Sequence, residues 1–167
     1  MKLRNQSEVK IMSESKKRLL IVCSKGTLDM AFPPFMLATT GAAMGMDAHL
    51  YFTFWGMDII TKKKFDKLKL SPVGNPSLPM PNILGMLPGM TAMATKMMKG
   101  KMKKAKMPSI EELIKTAKEL GVKFHACTPT MQLSGVTKDD LIPEVDDMIG
   151  AATFLELAKD ATVTLFI

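Results

Sequence analysis

Residues 123–129 read KFHACTP, and the interpretation of the whole chain depends on this stretch. Apolar and polar residues alternate from position 122 to position 127, which is the period of a β-strand. Thr128 is a residue type that caps helices, and Pro129 suits a first helical position because its missing N–H would have no partner there. The stretch therefore predicts a strand that ends at Cys127 and leads directly into a helix.

Cys127 is the candidate functional residue of this stretch. A helix beginning beside it aims free N–H groups and the positive end of the helix dipole at the sulfur, which lowers the pKa of a thiol. In open α/β sheets, ligands also bind at the carboxyl ends of the strands. The alternative is a buried structural cysteine, because unreactive cysteines are among the most buried residues. His125 shares the strand parity of Cys127, and it either tunes the thiol through a water or is a packed, hydrogen-bonded residue.

The composition excludes several classes of protein. The chain has 167 residues, of which 47% are hydrophobic and 23% charged, as expected for one globular domain with a real core. Cys23 and Cys127 are the only cysteines, too few for a disulfide scaffold, so a reducing cytoplasm is expected. His49 and His125 are the only histidines and there is no CxxC motif, so neither a metal site nor a cofactor is expected.

The N-terminal residues 1–16 are polar and charged without an apolar core. They predict a disordered tail rather than a signal peptide, and Met12 is an alternative start. Residues 17–167 are expected to form a single domain.

The order of the predicted elements indicates an α/β fold. Strands are predicted at 18–23, 47–53, 122–127, 144–148 and 162–167, and helices at 28–44, 59–68, 108–120, from 128, and at 150–159. This order predicts a three-layer sandwich around a mostly parallel sheet of about five strands. With the flavodoxin-like strand order, the first and third strands would be neighbours. Cys23 would then lie beside Cys127 and act as a second thiol, unless its side chain points into the core.

Residues 70–107 form a predicted helical insert rich in methionine and lysine. Residues 70–95 carry no charge but five prolines, and the following methionines and lysines recur on separate faces of a helix interrupted at Gly100. Three interpretations are open. The methionines pack on the protein or in an oligomer interface, residues 82–107 contact an anionic membrane surface, or the thioethers bind Cu(I). The lysines lack interleaved aromatics and arginines, which argues against nucleic-acid binding.

Several blocks of the sequence resemble the DsrE/DsrF-like family. They are SKGTLDM at 24–30, FTFWG at 52–56, LPGMT at 87–91 and VTLFI at 163–167, in the family's order across residues 17–167. The branch it resembles most comprises DsrE-type sulfur-transfer proteins, some of which carry the name peroxiredoxin-like, although the chain has no peroxidase motif. The family's active cysteine, at a strand end before a short helix and a glycine, matches Cys127.

The resemblance implies a carrier that holds sulfur on one cysteine, as a persulfide or a thiosulfonate, and passes it to a partner protein. It also implies homo-oligomers, often trimers or hexamers. On this interpretation, Lys25 and Thr128 bind the anionic sulfur group, and the pocket walls are Asp29, Trp55 and His125. The rival function is a non-catalytic oligomeric scaffold with an inert cysteine, which uses the methionine- and lysine-rich insert to bind a membrane surface or a protein partner.

Overall fold

The computed structural model describes residues 17–71 and 89–167 of the chain. Five parallel strands form one sheet, in the order β4-β3-β2-β1-β5: β1 (Arg18–Cys23), β2 (Asp47–Phe52), β3 (Lys123–Cys127), β4 (Asp147–Ile149) and β5 (Val163–Phe166). The helices are α1 (Leu28–Ala43), α2 (Met90–Lys104), α3 (Ile110–Glu119), α4 (Thr128–Ser134) and α5 (Ala151–Ala158). The predicted fold class, a parallel α/β sheet with helices on both sides, is confirmed.

The predicted flavodoxin-like strand order is wrong. From β1 to β4 every crossover steps in the same direction, so β2 lies between β1 and β3. The chain reverses only once, when β5 returns to the free side of β1. Hydrophobic patterning predicts strands that are buried on both faces, but it does not encode the direction of each crossover.

The larger core lies on the face of the sheet covered by α1 and α3. Leu19, Ile21 and Cys23 of β1 point into it, as do alternate residues of β2 and β3. The helix α3 is well specified by its sequence, because Ser109 and Glu112 form a reciprocal capping box. Its buried residues are Ile110, Leu113, Ile114 and Ala117, which recur at helical spacing.

The opposite face of the sheet has a smaller core. Val22, Tyr51, Cys127 and Ile149 form it, and Phe154 and Leu157 of α5 pack against them. No residue of α5 is itself buried, and Leu155 of this helix is 64% exposed. Cys127 therefore lies on the thinly covered face of the sheet, whereas Cys23 lies on the thickly covered one.

Two local predictions are corrected by the structure. Residues 59–68 do not form one helix; the chain forms two 3₁₀ helices, Phe54–Ile60 and Phe65–Lys67. The helix α2 is not interrupted at Gly100, because a single exposed glycine lowers helix stability by only about 1 kcal/mol. Its inner methionines, Met98 and Met102, pack against the larger core.

The predicted tail at 1–16 and the proline-rich part of the insert at 72–88 lie outside the described residues. Among residues 17–71 and 89–167, no helix is long and apolar enough to cross a membrane.

Candidate thiol site at the carboxyl edge of the sheet

Cys127 is the last residue of β3 and also the N-cap of α4. The prediction that the strand ends here and continues directly into a helix is confirmed. The assignment of Thr128 as the cap is wrong by one residue, because Thr128 is already helical and Pro129 occupies the second helical position, where a missing N–H is also tolerated. Cys127 is 6% exposed, so its sulfur is nearly enclosed at the carboxyl edge of the sheet.

Four donors surround the sulfur of Cys127. They are the hydroxyls of Thr130, Thr53 and Tyr51 and the backbone N–H of Thr130, and each favours the ionised form of the thiol. Tyr51 lies on β2 and Thr53 follows the strand in extended conformation with the same parity, so both side chains face the side of the sheet on which Cys127 lies. Thr130 comes from α4, so two adjacent βα units supply the donors.

The two threonine hydroxyls are held in place by further contacts. Oγ1 of Thr130 lies 3.1 Å from Oγ1 of Thr53 and accepts a hydrogen bond from the backbone N–H of Phe54, also at 3.1 Å. Each hydroxyl has one proton, and one of these two protons lies between the two oxygens, so one threonine hydroxyl at a time donates to the sulfur. Phe54 has a φ of 46°, a left-handed conformation that is uncommon for a residue with a side chain.

Burial and hydrogen bonding shift the pKa of the Cys127 thiol in opposite directions. Burial raises the pKa of Cys127, but the hydrogen bonds from Thr130, Thr53 and Tyr51 outweigh it, and the pKa lies below the ordinary value of a thiol. Burial, together with the hydrogen bond to Cys127, raises the pKa of Tyr51, so its phenol keeps its proton and remains a donor. The site therefore favours an anionic sulfur.

The turn after β2 is fixed by a close approach of two backbones. A Cβ atom on Gly56 would lie 2.0 Å from the carbonyl oxygen of Cys23, so only glycine fits there. The N–H of Gly56 donates to the carbonyls of Thr53 and Ser24, at 2.9 and 3.2 Å. This contact holds the 3₁₀ helix that carries Phe54 against the end of β1.

His125 belongs to a buried chain of side chains rather than to the surroundings of the sulfur. Its Nε2 lies 2.8 Å from Nδ1 of His49, and the two rings lie edge to edge and nearly coplanar, with centroids 5.1 Å apart. Its Nδ1 bonds to Asp147 on β4, and Nε2 of His49 lies 3.0 Å from Oδ2 of Asp47. Arg18 also donates to Asp47, at 3.1 Å. The chain crosses β1, β2, β3 and β4 on the face that holds Cys127.

The distance between the two imidazole rings requires a shared proton. Two ring nitrogens 2.8 Å apart need a proton between them, since otherwise two lone pairs would face each other. One proton therefore lies between the rings of His49 and His125. The outer nitrogen of His125 bonds to Asp147, whereas the outer nitrogen of His49 is close to Asp47 without hydrogen-bond geometry.

Cys23 is remote from Cys127. It is level with Phe52 on β2, which is level with Ala126 on β3, so two strand spacings, about 9.6 Å, separate it from β3. The two side chains also point to opposite faces of the sheet. The expectation that they are neighbours is wrong, because it depended on the flavodoxin-like order. Burial raises the pKa of Cys23 far above that of an ordinary thiol.

The remaining predicted site residues lie on the same edge of the sheet at different depths. Lys25 is exposed in the loop after β1, and Asp29 is exposed in the first turn of α1. Trp55 is 71% exposed and forms a tilted pair with Phe54, with ring centroids 6.0 Å apart. Thr128 is half-buried and faces Gly150, since a Cβ there would lie 3.6 Å from its Oγ1. The proposed anion-binding and pocket roles of these side chains stay predictions.

Comparison with known proteins shows which family the chain belongs to. The model of the DsrE/DsrF/DrsH-like family matches residues 15–166. The chain belongs to this family. It is 42% identical over 160 residues to the sulfur carrier protein DsrE2 of Allochromatium vinosum, covering 91% of this chain and 99% of that protein. It is 33% identical over 168 residues to the uncharacterized protein YrkE of Bacillus subtilis, covering 93% and 100%.

A solved structure supports the fold. The crystal structure of the ychN protein from Escherichia coli superposes with a TM-score of 0.56 at 11% sequence identity, covering 90% of this chain and 99% of that one. In the parts of the chain that the structure describes, no group of three or more His, Cys, Asp or Glu side chains is arranged to hold a metal ion.

The sequence predicts the reactive cysteine but not most of the groups that surround its sulfur. Tyr51 and Thr53 alternate on one strand, yet only the pairing of β2 with β3 shows that they face Cys127. The local pattern marks the capping position at Thr128 and gives no signal for Thr130, two residues later. His49 was considered only as a metal ligand, although its parity on β2 matches that of His125 on β3.

Proposed function

We propose that this protein is a sulfur carrier, a sulfurtransferase that holds sulfane sulfur or a thiosulfonate on Cys127 and passes it to a partner protein. The observation that carries the proposal is the set of four donors on the sulfur of Cys127, which lowers the pKa of this thiol. The 42% identity to a protein named sulfur carrier supports the same role.

The loading step follows from thiolate chemistry. The Cys127 thiolate attacks the outer sulfur of a donor persulfide, the donor thiolate leaves, and Cys127 becomes a persulfide. With tetrathionate, the thiolate attacks an inner sulfur, thiosulfate leaves, and Cys127 carries a thiosulfonate. Neither route requires a redox cofactor, and both need an anionic sulfur at ambient pH.

The loaded forms are anions as well, which gives the donors a second role. The outer sulfur of a persulfide and the sulfonate group of a thiosulfonate both carry negative charge close to the thiol. Hydrogen bonds to an ionised group are about twice as strong as those between neutral groups. Tyr51, Thr53 and Thr130 would therefore stabilise both the attacking thiolate and the group it holds.

Intact mass spectrometry tests the carrier function. The wild type, Cys127→Ser and Cys23→Ala are incubated with polysulfide, thiosulfate or tetrathionate and measured before and after treatment with a reductant. We expect a reductant-sensitive adduct on the wild type and on Cys23→Ala, and none on Cys127→Ser. Cys23→Ala is the matched control because its thiol is buried on the opposite face.

One outcome of the same experiment would contradict the carrier function. If all three proteins keep their unmodified mass with every reagent, the thiol of Cys127 is inert. The scaffold function, in which the protein binds a surface or a partner without carrying sulfur, would then replace the carrier.

The protein is also proposed to form homo-oligomers, trimers or hexamers, in the cytoplasm. The support is the thin cover of the second face of the sheet: Leu155 of α5 and Phe166 of the edge strand β5 are 64% and 76% exposed. Exposed apolar side chains beside an edge strand are typical of surfaces that bind another chain. Light scattering coupled to size exclusion measures the mass, and a monomer at micromolar concentration would contradict this proposal.

A contact between residues 82–107 and a membrane surface is the second proposal about partners. On α2, Met93 and Met97 are 61% and 50% exposed, and lysines flank them. An interfacial helix combines apolar side chains with lysines in this way. Flotation with vesicles of anionic lipid at low salt tests it, and protein that stays unbound would contradict it.

A further inference from the structure

An open groove lies at the carboxyl edge of the sheet, between the loop after β1 and the turn after β2. It has a volume of about 400 Å³ and is bounded by the loop after β1, by the exposed indole of Trp55 and by the first turn of α2. Its remaining wall is the lysine-rich segment at 63–70. None of the side chains that line this groove contacts the sulfur of Cys127.

The groove is strongly positive. Lys63, Lys64, Lys67 and Lys69 line it, against a single carboxylate, Asp58. Lys64 forms an ion pair with Asp58, with Nζ and Oδ1 2.6 Å apart, and the other three lysines leave an excess of positive charge. All four lysine side chains are exposed, so the charge faces the solvent from which a partner arrives.

A series of hydrogen bonds and backbone contacts connects the groove to the thiol site. Trp55 on its rim follows Phe54, whose N–H donates to the Thr130 hydroxyl that bonds the sulfur. A Cβ on Gly26 would lie 2.1 Å from the carbonyl oxygen of Trp55, so the loop after β1 and the turn after β2 are in direct backbone contact. A molecule held in the groove is therefore positioned relative to Cys127.

We propose that this lysine groove docks an acidic segment of the protein that exchanges sulfur with Cys127. The inference rests on the carrier function and adds the chemistry of the partner: carboxylates for the lysines, beside an apolar or aromatic side chain for Trp55. A positive groove next to a reactive group accelerates encounters with negatively charged molecules. It also disfavours basic proteins, which gives the exchange specificity.

The exchange step itself is simple. The thiolate of the partner's cysteine attacks the outer sulfur of the Cys127 persulfide, the bond between the two sulfurs breaks, and the Cys127 thiolate leaves. The sulfur is conserved and no electrons are gained or lost overall. Docking of the acidic segment holds the attacking thiolate close to the carboxyl edge of the sheet, which raises the rate of an otherwise bimolecular step.

The test uses synthetic peptides as model partners. In a Cys23→Ala background, Cys127 is converted to a mixed disulfide with neutral 2-thiopyridine, and its release is followed by absorbance. Three peptides each contain one cysteine, flanked by four aspartates, four serines or four lysines. Each rate is divided by the rate of the same peptide with a small neutral mixed disulfide, which removes the effect of flanking charge on the peptide thiol.

Two matched variants isolate the groove. Lys67→Glu/Lys69→Glu reverses two lysines that line it, whereas Lys101→Glu/Lys115→Glu reverses two exposed lysines on α2 and α3 that do not. Both variants change the net charge of the protein by the same amount. We expect the wild type and the control variant to prefer the aspartate peptide about tenfold at low salt, and the groove variant to lose this preference. In 0.5 M salt the preference should largely disappear, since the screening length falls to about 4 Å.

Several results would overturn the docking groove. They are equal normalised rates for the three peptides, a preference that survives in the groove variant, and a preference that both variants lose equally. Inhibition by millimolar phosphate without any preference for the aspartate peptide would assign the groove to a small anion instead. If Cys127 cannot be labelled at all, the carrier function and the docking groove both fail. If Cys127 is labelled but shows no preference among the peptides, only the docking groove fails.

Discussion

Cys127 is almost fully buried, and at the scale of single residues burial and hydrogen bonding act on its thiol in opposite directions. Burial alone produces an inert cysteine, as Cys23 shows on the other face of the sheet. Hydroxyl donors distinguish the two sites, since Cys23 donates only a long contact to a carbonyl oxygen, at 3.9 Å. The difference between a structural cysteine and a sulfur carrier therefore lies in the neighbouring side chains.

Thr130→Val should raise the pKa of Cys127, because it replaces one hydroxyl donor by a methyl group of the same shape. A hydrogen bond to a charged group contributes about 1.5–3 kcal/mol, so a rise of about one unit is expected. Alkylation by iodoacetamide at pH 7 should slow about threefold, since a higher pKa lowers the thiolate fraction but makes each thiolate more nucleophilic. Thr128→Val is the matched control and should leave the rate unchanged.

If Thr128→Val slowed the alkylation and Thr130→Val did not, the donor set described for the sulfur would be contradicted. The anion-binding role that the sequence predicts for Thr128 would then be correct.

The histidine pair makes folding stability depend on pH. Burial lowers the pKa of His49 against the opposing effect of Asp47, so the folded protein prefers this ring neutral. As the pH falls below about 6.5, the unfolded chain binds a proton that folded His49 resists, and the free energy of unfolding falls. Urea unfolding of the wild type at pH 7 and pH 5 should show this loss, and His49→Gln should show a smaller one. An equal loss in both proteins would contradict the role of His49.

Only some of the residues of the site can be predicted from the sequence. The sequence predicts Cys127 because a strand end, a helix start and a family motif coincide at one position. Tyr51, Thr53 and Thr130 are not predicted, because their common target appears only when β2 pairs with β3 in a defined register. The same register brings His49 to His125. Pairings between distant segments are not encoded in the local pattern from which these predictions were made.

At the scale of elements, the 3₁₀ helix Phe54–Ile60 carries the link between the sheet and the thiol. Gly56→Ala should displace it, because the new Cβ would lie 2.0 Å from the carbonyl oxygen of Cys23. Overpacking of this kind typically costs about 1–3 kcal/mol. We expect a lower urea midpoint and slower alkylation of Cys127, since the N–H of Phe54 moves away from Thr130. Unchanged stability and reactivity would contradict the close backbone approach.

Gly100→Ala is the matched control at an open position of α2. A Cβ there has no atom within 4 Å, and the residue is exposed in the middle of the helix. Alanine should raise the free energy of unfolding by about 0.5–1 kcal/mol, because glycine is a poor helix former. A loss of stability would show that α2 does not continue through this position.

Elements with strong local signals were predicted well. The helix α3 has its cap, its acidic first turn and its apolar face within ten residues, and its start was predicted accordingly. The helix predicted at 59–68 is wrong, because the lysines of this segment resemble an exposed helical face while its backbone belongs to two short 3₁₀ helices. Those turns are set by tertiary contacts, such as the backbone pairing of Lys62 with Asp140, that no local pattern contains.

At the scale of the whole molecule, the strand order determines the distance between the two thiols. The sequence predicts the sheet and its helices, since alternating strands and helices allow few architectures. It does not predict on which side of β1 each later strand is added. With β2 between β1 and β3, Cys23 cannot reach Cys127, because a disulfide requires Cα atoms within about 7 Å.

Oxidation by diamide should therefore leave the wild type without an internal disulfide. Peptide mapping should detect no link between Cys23 and Cys127, and Cys23→Ala should load sulfur on Cys127 to the same extent as the wild type. An internal disulfide at native pH would contradict the strand order.

The pH dependence of Cys127 alkylation tests the central claim most directly. In the Cys23→Ala background, the rate with iodoacetamide is measured from pH 5 to pH 10, and the inflection gives the pKa of Cys127. The hydrogen bonds from Thr130, Thr53 and Tyr51 predict an inflection below the ordinary value of about 8.5. An inflection at or above that value would show that burial dominates and that Cys127 is a structural cysteine.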